Sequence, residues 1–133
     1  MSSIGILIKH PSIDPDQITT AFGVIPTTAV RRGDMVTTPR GTQSGDRYQW
    51  SSWSYFDADI SKNLNARIVR LLEKVSSNED LITEISIGGG LITFIVRPES
   101  TSHIHCELAP NSLALLSRLS ITLGLEIFPD NSE

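Results

Sequence analysis

The 133 residues suit one domain, and the 39% apolar and 20% charged content is ordinary for a globular protein that forms its own core. A net charge of −4 argues against a nucleic-acid-binding protein, which usually carries a strongly basic face. No apolar run approaches the roughly 20 residues of a membrane span; the start shows no secretory signal, and a single cysteine, Cys106, predicts a reducing cytoplasm.

The first two predicted elements carry clear local signals. A strand is predicted over residues 4–9, where isoleucine occupies every second position. A short helix is predicted over 15–22, because Asp14 can cap it, Pro15 suits its first turn and Gly23 can end it.

Strands and a polar loop are predicted between the first helix and the middle of the chain. The pattern favours a strand over 27–32, a turn at Gly33-Asp34, a polar loop over 37–46 and an aromatic-rich strand over 47–55. In a regular strand the two tryptophans of that last segment would face opposite sides, whereas a bulge at Ser51-Ser52 would bring them onto one face.

The second half of the chain predicts two more helices and four strands. A helix over 59–75 has apolar residues at helical spacing and a solvated cationic face. Strands over 82–87 and 91–97 flank a glycine-triplet hairpin, and another strand covers 103–108. A last helix begins at Pro110 and is closed by Gly124, and the final strand is 125–128.

This order of elements predicts a single domain of the α+β class over residues 1–133, with a frayed tail at 129–133. We expect a mainly antiparallel sheet with about three helices packed on one face, in a two-layer sandwich. An unprotected strand at the sheet edge favours pairing with a second copy, so we also expect a homodimer.

The strongest functional signal is residues 31–55, which we call the Arg/Trp segment. It contains both tryptophans and four of the eleven cationic residues, all arginines, against two aspartates. Arginine and tryptophan are enriched where proteins bind partners. The candidate partner-binding residues are Arg31, Arg32, Asp34, Arg47, Trp50 and Trp53. The alternative is structural: the tryptophans lie in the core, residues 32–34 form a turn, and Arg47 is solvated or paired.

A metal site is the weaker candidate. On a strand, His103, His105 and Glu107 would point the same way, and two imidazoles with a carboxylate suit zinc or iron. The alternative is an exposed polar strand face with Cys106 turned into the core. The residues give no convincing catalytic nucleophile, and the glycine triplet precedes a β-like run instead of the helix that a phosphate loop needs.

The order of these features resembles the bacterial family catalogued as domain of unknown function 4279. The matching pieces are the opening apolar strand, the segment 13–18 with the helix that ends at Phe22-Gly23, Arg32-Gly33-Asp34, the Trp50–Trp53 block and the leucine-rich helix before 124–128. The resemblance covers nearly the whole chain. It implies a compact α+β domain and carries over no activity and no catalytic residue.

From the residues we expect a non-enzymatic, cytoplasmic interaction protein without a cofactor, of an immunity or regulatory type, that binds an unidentified protein partner through the Arg/Trp segment. Neither nucleic acid nor a membrane is an expected partner. The alternative is a binding domain for a small anion or nucleotide. An interaction protein should expose its tryptophans, whereas in a ligand-binding domain they should line a cleft.

Overall fold

The computed structural model describes residues 2–37, 40–41, 43–57, 63–98 and 105–127. Within these ranges the strands are β1 (Ser3–His10), β2 (Thr28–Val30), β3 (Met35–Thr37), β4 (Gln43–Arg47), β5 (Ser51–Asp57), β6 (Leu91–Arg97) and β7 (Thr122–Leu125). The helices are α1 (Pro15–Phe22), α2 (Leu64–Ser77), α3 (Glu79–Ile87) and α4 (Pro110–Arg118). No helix in these ranges is long and apolar enough to cross a bilayer.

Five strands form the main sheet, in the order β2-β5-β1-β6-β7. The pairs β2–β5, β5–β1 and β1–β6 are antiparallel, and β6–β7 is parallel. The strands β3 and β4 form a separate antiparallel pair. The prediction of an α+β fold with a mainly antiparallel sheet and helices on one face is confirmed.

Alternation along β1 decides which face of the sheet is the core. Ile4, Ile6 and Ile8 are each at most 1% exposed, and their cross-strand partners on β6 are Val96, Phe94 and Ile92. All four helices add apolar side chains to this same cluster. Lys9, one position along from Ile8, is exposed, because side chains of neighbouring strand residues point to opposite faces. We call the side opposite the helices the second face of the sheet.

The prediction for α1 is confirmed to the residue. The Asp14 Oδ1 atom accepts a hydrogen bond from the backbone N–H of Asp16 at 2.9 Å, and Pro15 occupies the first turn. Gly23 ends the helix with a φ of 65°, a left-handed conformation that favours glycine. Because these signals are local, the sequence alone specifies this element.

The second helix runs two residues beyond its predicted end at residue 75, to Ser77, and Asn78 is its C-terminal cap. Asn63 caps its start through a 2.8 Å bond from the Ala66 N–H to Oδ1. The predicted beginning at residue 59 lies outside the described residues.

The predicted strand over 82–87 is wrong, because residues 79–87 form α3. The alternating isoleucines Ile85 and Ile87 are typical of a strand, yet Ile87 is 82% exposed. The buried pair is Ile82 and Ile85, which are three residues apart and therefore share one side of a helix. The Gly88–Gly90 triplet consequently joins a helix to β6 and is not a hairpin.

The C-terminal boundaries also differ from the prediction. The helix α4 ends at Arg118 and not at Gly124, because Ser120 adopts a φ of 59° and the Ile121 N–H returns to the Leu116 carbonyl at 2.8 Å. A serine thus takes the left-handed position for which glycine is the usual signal. The final strand accordingly begins at Thr122. Residues 128–133, including the predicted frayed tail, lie outside the described residues.

Two further local predictions are corrected. Part of the predicted polar loop over 37–46 pairs as β4 with β3. The bulge at Ser51-Ser52 is absent, because β5 pairs with β1 in unbroken register from Ser51 to Asp57. The two tryptophans therefore lie on opposite sides of the sheet, as regular alternation requires.

Candidate functional site

The turn at residues 31–34 is held by its own hydrogen bonds. The Asp34 carboxylate accepts the Arg31 N–H at 2.9 Å, and the Asp34 N–H returns to the Arg31 carbonyl at 3.0 Å. The backbones of Gly33 and Asp34 each bond to Tyr48 at 2.9 Å, and Gly33 has a φ of 90°. The carboxylate of Asp34 therefore has a structural task in this turn.

Two of the candidate arginines also have partners within the fold. The Arg31 guanidinium lies 2.9 Å from Asp14 and 3.2 Å from Asp16, at the start of α1. The Arg47 Nη1 atom donates to the Gly33 carbonyl at 2.7 Å. These contacts fasten the Arg/Trp segment to α1 and to the turn, so neither side chain is simply a free cation at the surface.

Arg32 is the candidate arginine that remains available to a ligand. Its backbone N–H donates to the Ser51 hydroxyl at 3.1 Å, which ties the turn to the start of β5. The residue is exposed, and its side chain makes no ion pair with the part of the chain that the structure describes.

Trp53 belongs to the core. It is 1% exposed, its ring stacks on Phe22 with centroids 5.4 Å apart, and its Nε1–H donates to the Thr19 hydroxyl at 3.0 Å. A buried indole that has its hydrogen-bond partner is fully used by the fold. Trp53 is therefore not at a surface where it could contact a partner.

Trp50 lies on the other side of the sheet, where its side chain is 43% exposed. It borders a cleft of about 450 Å³ at the second face of the sheet. We call this the Trp50 cleft, and its lining residues are Lys9, Val30, Tyr48, Gln49, Trp50, Ser52 and Leu91. Small-molecule sites usually occupy roughly 300–1,000 Å³ and have mostly apolar walls with a few polar groups. The Trp50 cleft has both properties.

Four strands, β1, β2, β5 and β6, and the segment before β5 bring these residues together. Lys9 pairs with both Ser52 on β5 and Leu91 on β6, and Val30 pairs with Ser52 from the other side. Directly paired residues point to the same face of a sheet, so all four side chains share the second face. Tyr48 and Trp50 precede β5 and add two aromatic walls.

The charge in the Trp50 cleft has one sign. Lys9 is the only charged residue among its described lining residues, and no carboxylate accompanies it. A lysine ammonium with no acid among the described lining residues attracts anions. The local charge of the cleft is thus positive in a chain whose net charge is −4. The aromatic walls add surfaces on which flat rings stack.

The metal candidates do not form a site in the described residues. His105 Nε2 and Glu107 Oε1 are 2.7 Å apart, but both side chains are exposed, and His103 lies outside the described residues. No group of three potential metal ligands occurs in the ranges that the structure describes. The predicted strand is also wrong for residues 105–108, which adopt no regular structure, so alternation does not align His105 with Glu107.

Sequence reasoning missed a buried charge cluster. Arg67 on α2 is 3% exposed and donates to the Ser2 and Asp57 carbonyls at 2.9 and 2.5 Å, while Arg70 bonds the Asp57 carboxylate at 2.8 Å. Asp57 is the last residue of β5. The signal lay in the spacing: Arg67 stands three residues after Leu64 and four before Leu71, on the apolar stripe of α2.

A second charge contact joins α3 to α4 at the surface. Arg118 donates two bonds of 2.9 Å to the carboxylate of Glu79. These hydrogen bonds lower the pKa of Glu79 below its ordinary value and raise the pKa of Arg118 above its own. The pair fastens two helices and contributes no residue to the Trp50 cleft.

Comparison with known families gives one finding. The model of a family described as "Domain of unknown function (DUF4279)" matches residues 4–128. No curated protein and no solved structure matches the chain.

Proposed function

We propose that this chain, which belongs to the DUF4279 family, is a non-enzymatic binding domain that holds a small anionic ligand in the Trp50 cleft. The observation that carries the proposal is the combination of two aromatic walls with one unopposed lysine in a cleft of about 450 Å³. Of the two expectations from the sequence, the position of Trp50 favours the ligand-binding domain.

The structural use of the other candidates supports this choice. Arg31 and Arg47 have partners inside the fold, the Asp34 carboxylate closes a turn, and Trp53 is in the core. An interface that used every candidate residue would require Trp53 to leave the core, where it is 1% exposed. The Trp50 cleft needs no such rearrangement, because its lining already faces solvent on one side.

A thermal-shift screen of anionic metabolites tests the proposal. A ligand at a hundred times its Kd should stabilise the folded protein by about 2.7 kcal/mol. We expect a rise in melting temperature for the wild type that is absent in Trp50→Ala. A hit that stabilises both proteins equally would exclude the Trp50 cleft as its site.

A protein partner is the second candidate, and the exposure of the cleft rim favours it. Leu91 is 64% exposed and Trp50 is 43% exposed, and both line the same cleft, so they form an apolar surface of the kind that partners contact. Arg32 adds a cation to the neighbouring turn. An immunity or regulatory role would use this surface against an acidic partner.

The second candidate is tested by affinity capture with the wild type and a folded Arg32→Ala/Trp50→Ala variant as baits. A protein that binds only the wild-type bait would support an interaction surface here. If the two baits capture the same proteins, the surface has no such role.

We also propose that the domain resides in a reducing cytoplasm and forms a homodimer through a sheet edge. Cys106 has no disulfide partner, which suits a reducing compartment. The edge strand β7 contains no charged residue and no proline, the usual protections against pairing. Sedimentation should show a dimer that Leu123→Lys converts to a monomer; a wild-type monomer would contradict the proposal.

A further inference from the structure

The lining of the Trp50 cleft restricts which anion fits there. We infer that the ligand is a flat aromatic ring that bears a single anionic group, with the ring against Trp50 and the anion on the Lys9 ammonium. The inference rests on the proposed function and deepens it, since it specifies the ligand class for the same cleft.

The apolar part of the lining requires a ring or another flat apolar body. Trp50, Tyr48, Val30 and Leu91 make up most of the wall, and Trp50 and Leu91 still expose 43% and 64% of their surface. A small hydrated anion such as inorganic phosphate would leave these side chains uncovered. A planar ring would cover them and stack on an indole, an arrangement worth roughly 1–3 kcal/mol in stacked bases.

The polar part of the lining requires one charge and no more. Lys9 supplies one ammonium, whereas Ser52 and Gln49 supply neutral groups that can donate hydrogen bonds. A di- or triphosphate would bring several negative charges to a cleft whose described lining holds one cation. A carboxylate matches that charge, and a phosphate monoester, with about 1.5–2 negative charges at pH 7, exceeds it less than a di- or triphosphate does.

The backbone of Lys9 is held by strand pairing on both sides. Lys9 is the residue of β1 opposite both Ser52 on β5 and Leu91 on β6, in the four-strand floor of the cleft. Its backbone position is therefore fixed, while its ammonium remains accessible to an anion that enters from the second face.

Two classes of ligand combine a flat ring with one anionic group, and the test distinguishes them. Naphthalene-2-carboxylate represents an aromatic carboxylic acid, and AMP represents a nucleoside monophosphate. Each has a neutral counterpart that keeps the ring, naphthalene-2-carboxamide and adenosine. Acetate and inorganic phosphate keep the charge and lack the ring.

Isothermal titration of the full chain with these six probes tests the inference. We expect at least one of the two ring anions to bind, its neutral counterpart to bind about tenfold more weakly and the ringless anions to bind without measurable heat. The charge preference should vanish in Lys9→Met. Affinity should fall at least about fivefold in Trp50→Ala.

Matched variants control for the loss of charge and of apolar surface. Lys74→Met removes a lysine from α2 on the helix side of the sheet, and Ile25→Ala truncates a side chain that is 88% exposed outside the cleft. Both should bind the ring anion like the wild type. Circular dichroism of every variant shows whether it is folded before titration.

Each unexpected binding result would refute a different part of the inference. If acetate or phosphate binds as well as the ring anions and depends on Lys9, the anion-binding function stands and the ring requirement is refuted. If a ring anion and its neutral counterpart bind equally, the role of Lys9 is refuted. If none of the six probes binds, both the ligand class and the proposed function are contradicted.

Discussion

At the scale of single residues, the two tryptophans have different roles although they are only three positions apart in the sequence. Trp53 fills the core between β5 and α1, while Trp50 stands at the rim of a cleft on the second face. The residue types alone do not distinguish them. The pairing of β5 with β1 does, because it fixes which side chains face the helices.

The first prediction contrasts the two tryptophans by truncation. Trp53→Ala should lower the free energy of unfolding by about 3–5 kcal/mol, since it leaves a cavity against Phe22 and removes the hydrogen bond from the indole N–H to the Thr19 hydroxyl. Trp50→Ala should change it by no more than about 0.5 kcal/mol. Urea unfolding followed by circular dichroism measures both, and equal losses would contradict the assignment of Trp53 to the core and Trp50 to the cleft.

A second residue-scale prediction concerns Gly5 on the second face. A Cβ atom there would lie 2.3 Å from Phe56 Cδ1 and 2.7 Å from the Tyr55 carbonyl oxygen. The Phe56 ring, which has Arg97 Cζ 4.1 Å from its centroid, would have to move. Gly5→Ala should therefore cost about 1–3 kcal/mol of stability in urea unfolding. Gly23→Ala is an informative comparison. No atom lies within 4 Å of a Cβ added at Gly23, so the cost of that substitution comes only from its positive φ of 65°. If Gly5→Ala were as stable as the wild type, the packing of Phe56 over Gly5 would be refuted.

At the scale of elements, predictability follows how local the signals are. The helix α1 could be predicted because its cap, its proline and its terminal glycine lie within ten residues. The helix α3 could not, because its β-branched residues favour a strand and only the packing of Ile82 and Ile85 on the core makes it a helix. For the site, the sequence indicated Trp50; Lys9 and Leu91 became its neighbours only through strand pairing.

The buried cluster at the end of β5 gives an element-scale prediction. Arg67→Met removes a guanidinium that is buried in the fold and donates to the Ser2 and Asp57 carbonyls. Breaking a buried charged contact by deleting one partner costs about 3–5 kcal/mol. We expect a loss of this size in chemical denaturation. Glu73→Met, on the exposed side of the same helix, should cost far less, and equal losses would show that Arg67 is not buried as described.

The contact between α3 and α4 predicts a pH dependence of stability. The bond from Arg118 lowers the pKa of Glu79 in the folded protein, so the folded state favours the carboxylate. This stabilisation is fully present above the ordinary glutamate pKa and is lost as the pH falls through the lowered value. Glu79→Gln should therefore be less stable than the wild type at neutral pH, and the difference should disappear in acid. A difference that grew on acidification would contradict the contact.

At the scale of the whole molecule, the two faces of the main sheet have different roles, one in stability and the other in the proposed binding. Its helix-side face carries the core, to which all four helices contribute, and its second face carries a cleft with aromatic walls and one lysine. Because the two faces share strands and not side chains, substitutions in the cleft should leave the melting temperature nearly unchanged. This division makes the proposed ligand site testable without loss of the fold.

Nitrogen-15 NMR tests the central claim most directly, because the two tryptophans give two indole N–H signals that Trp50→Phe assigns. During titration with naphthalene-2-carboxylate or AMP, we expect the Trp50 indole and Lys9 amide signals to shift while the signal of the Trp53 indole, bonded to Thr19 in the core, stays in place. Shifts confined to other residues, or no shift with either probe, would contradict a ligand site in the Trp50 cleft.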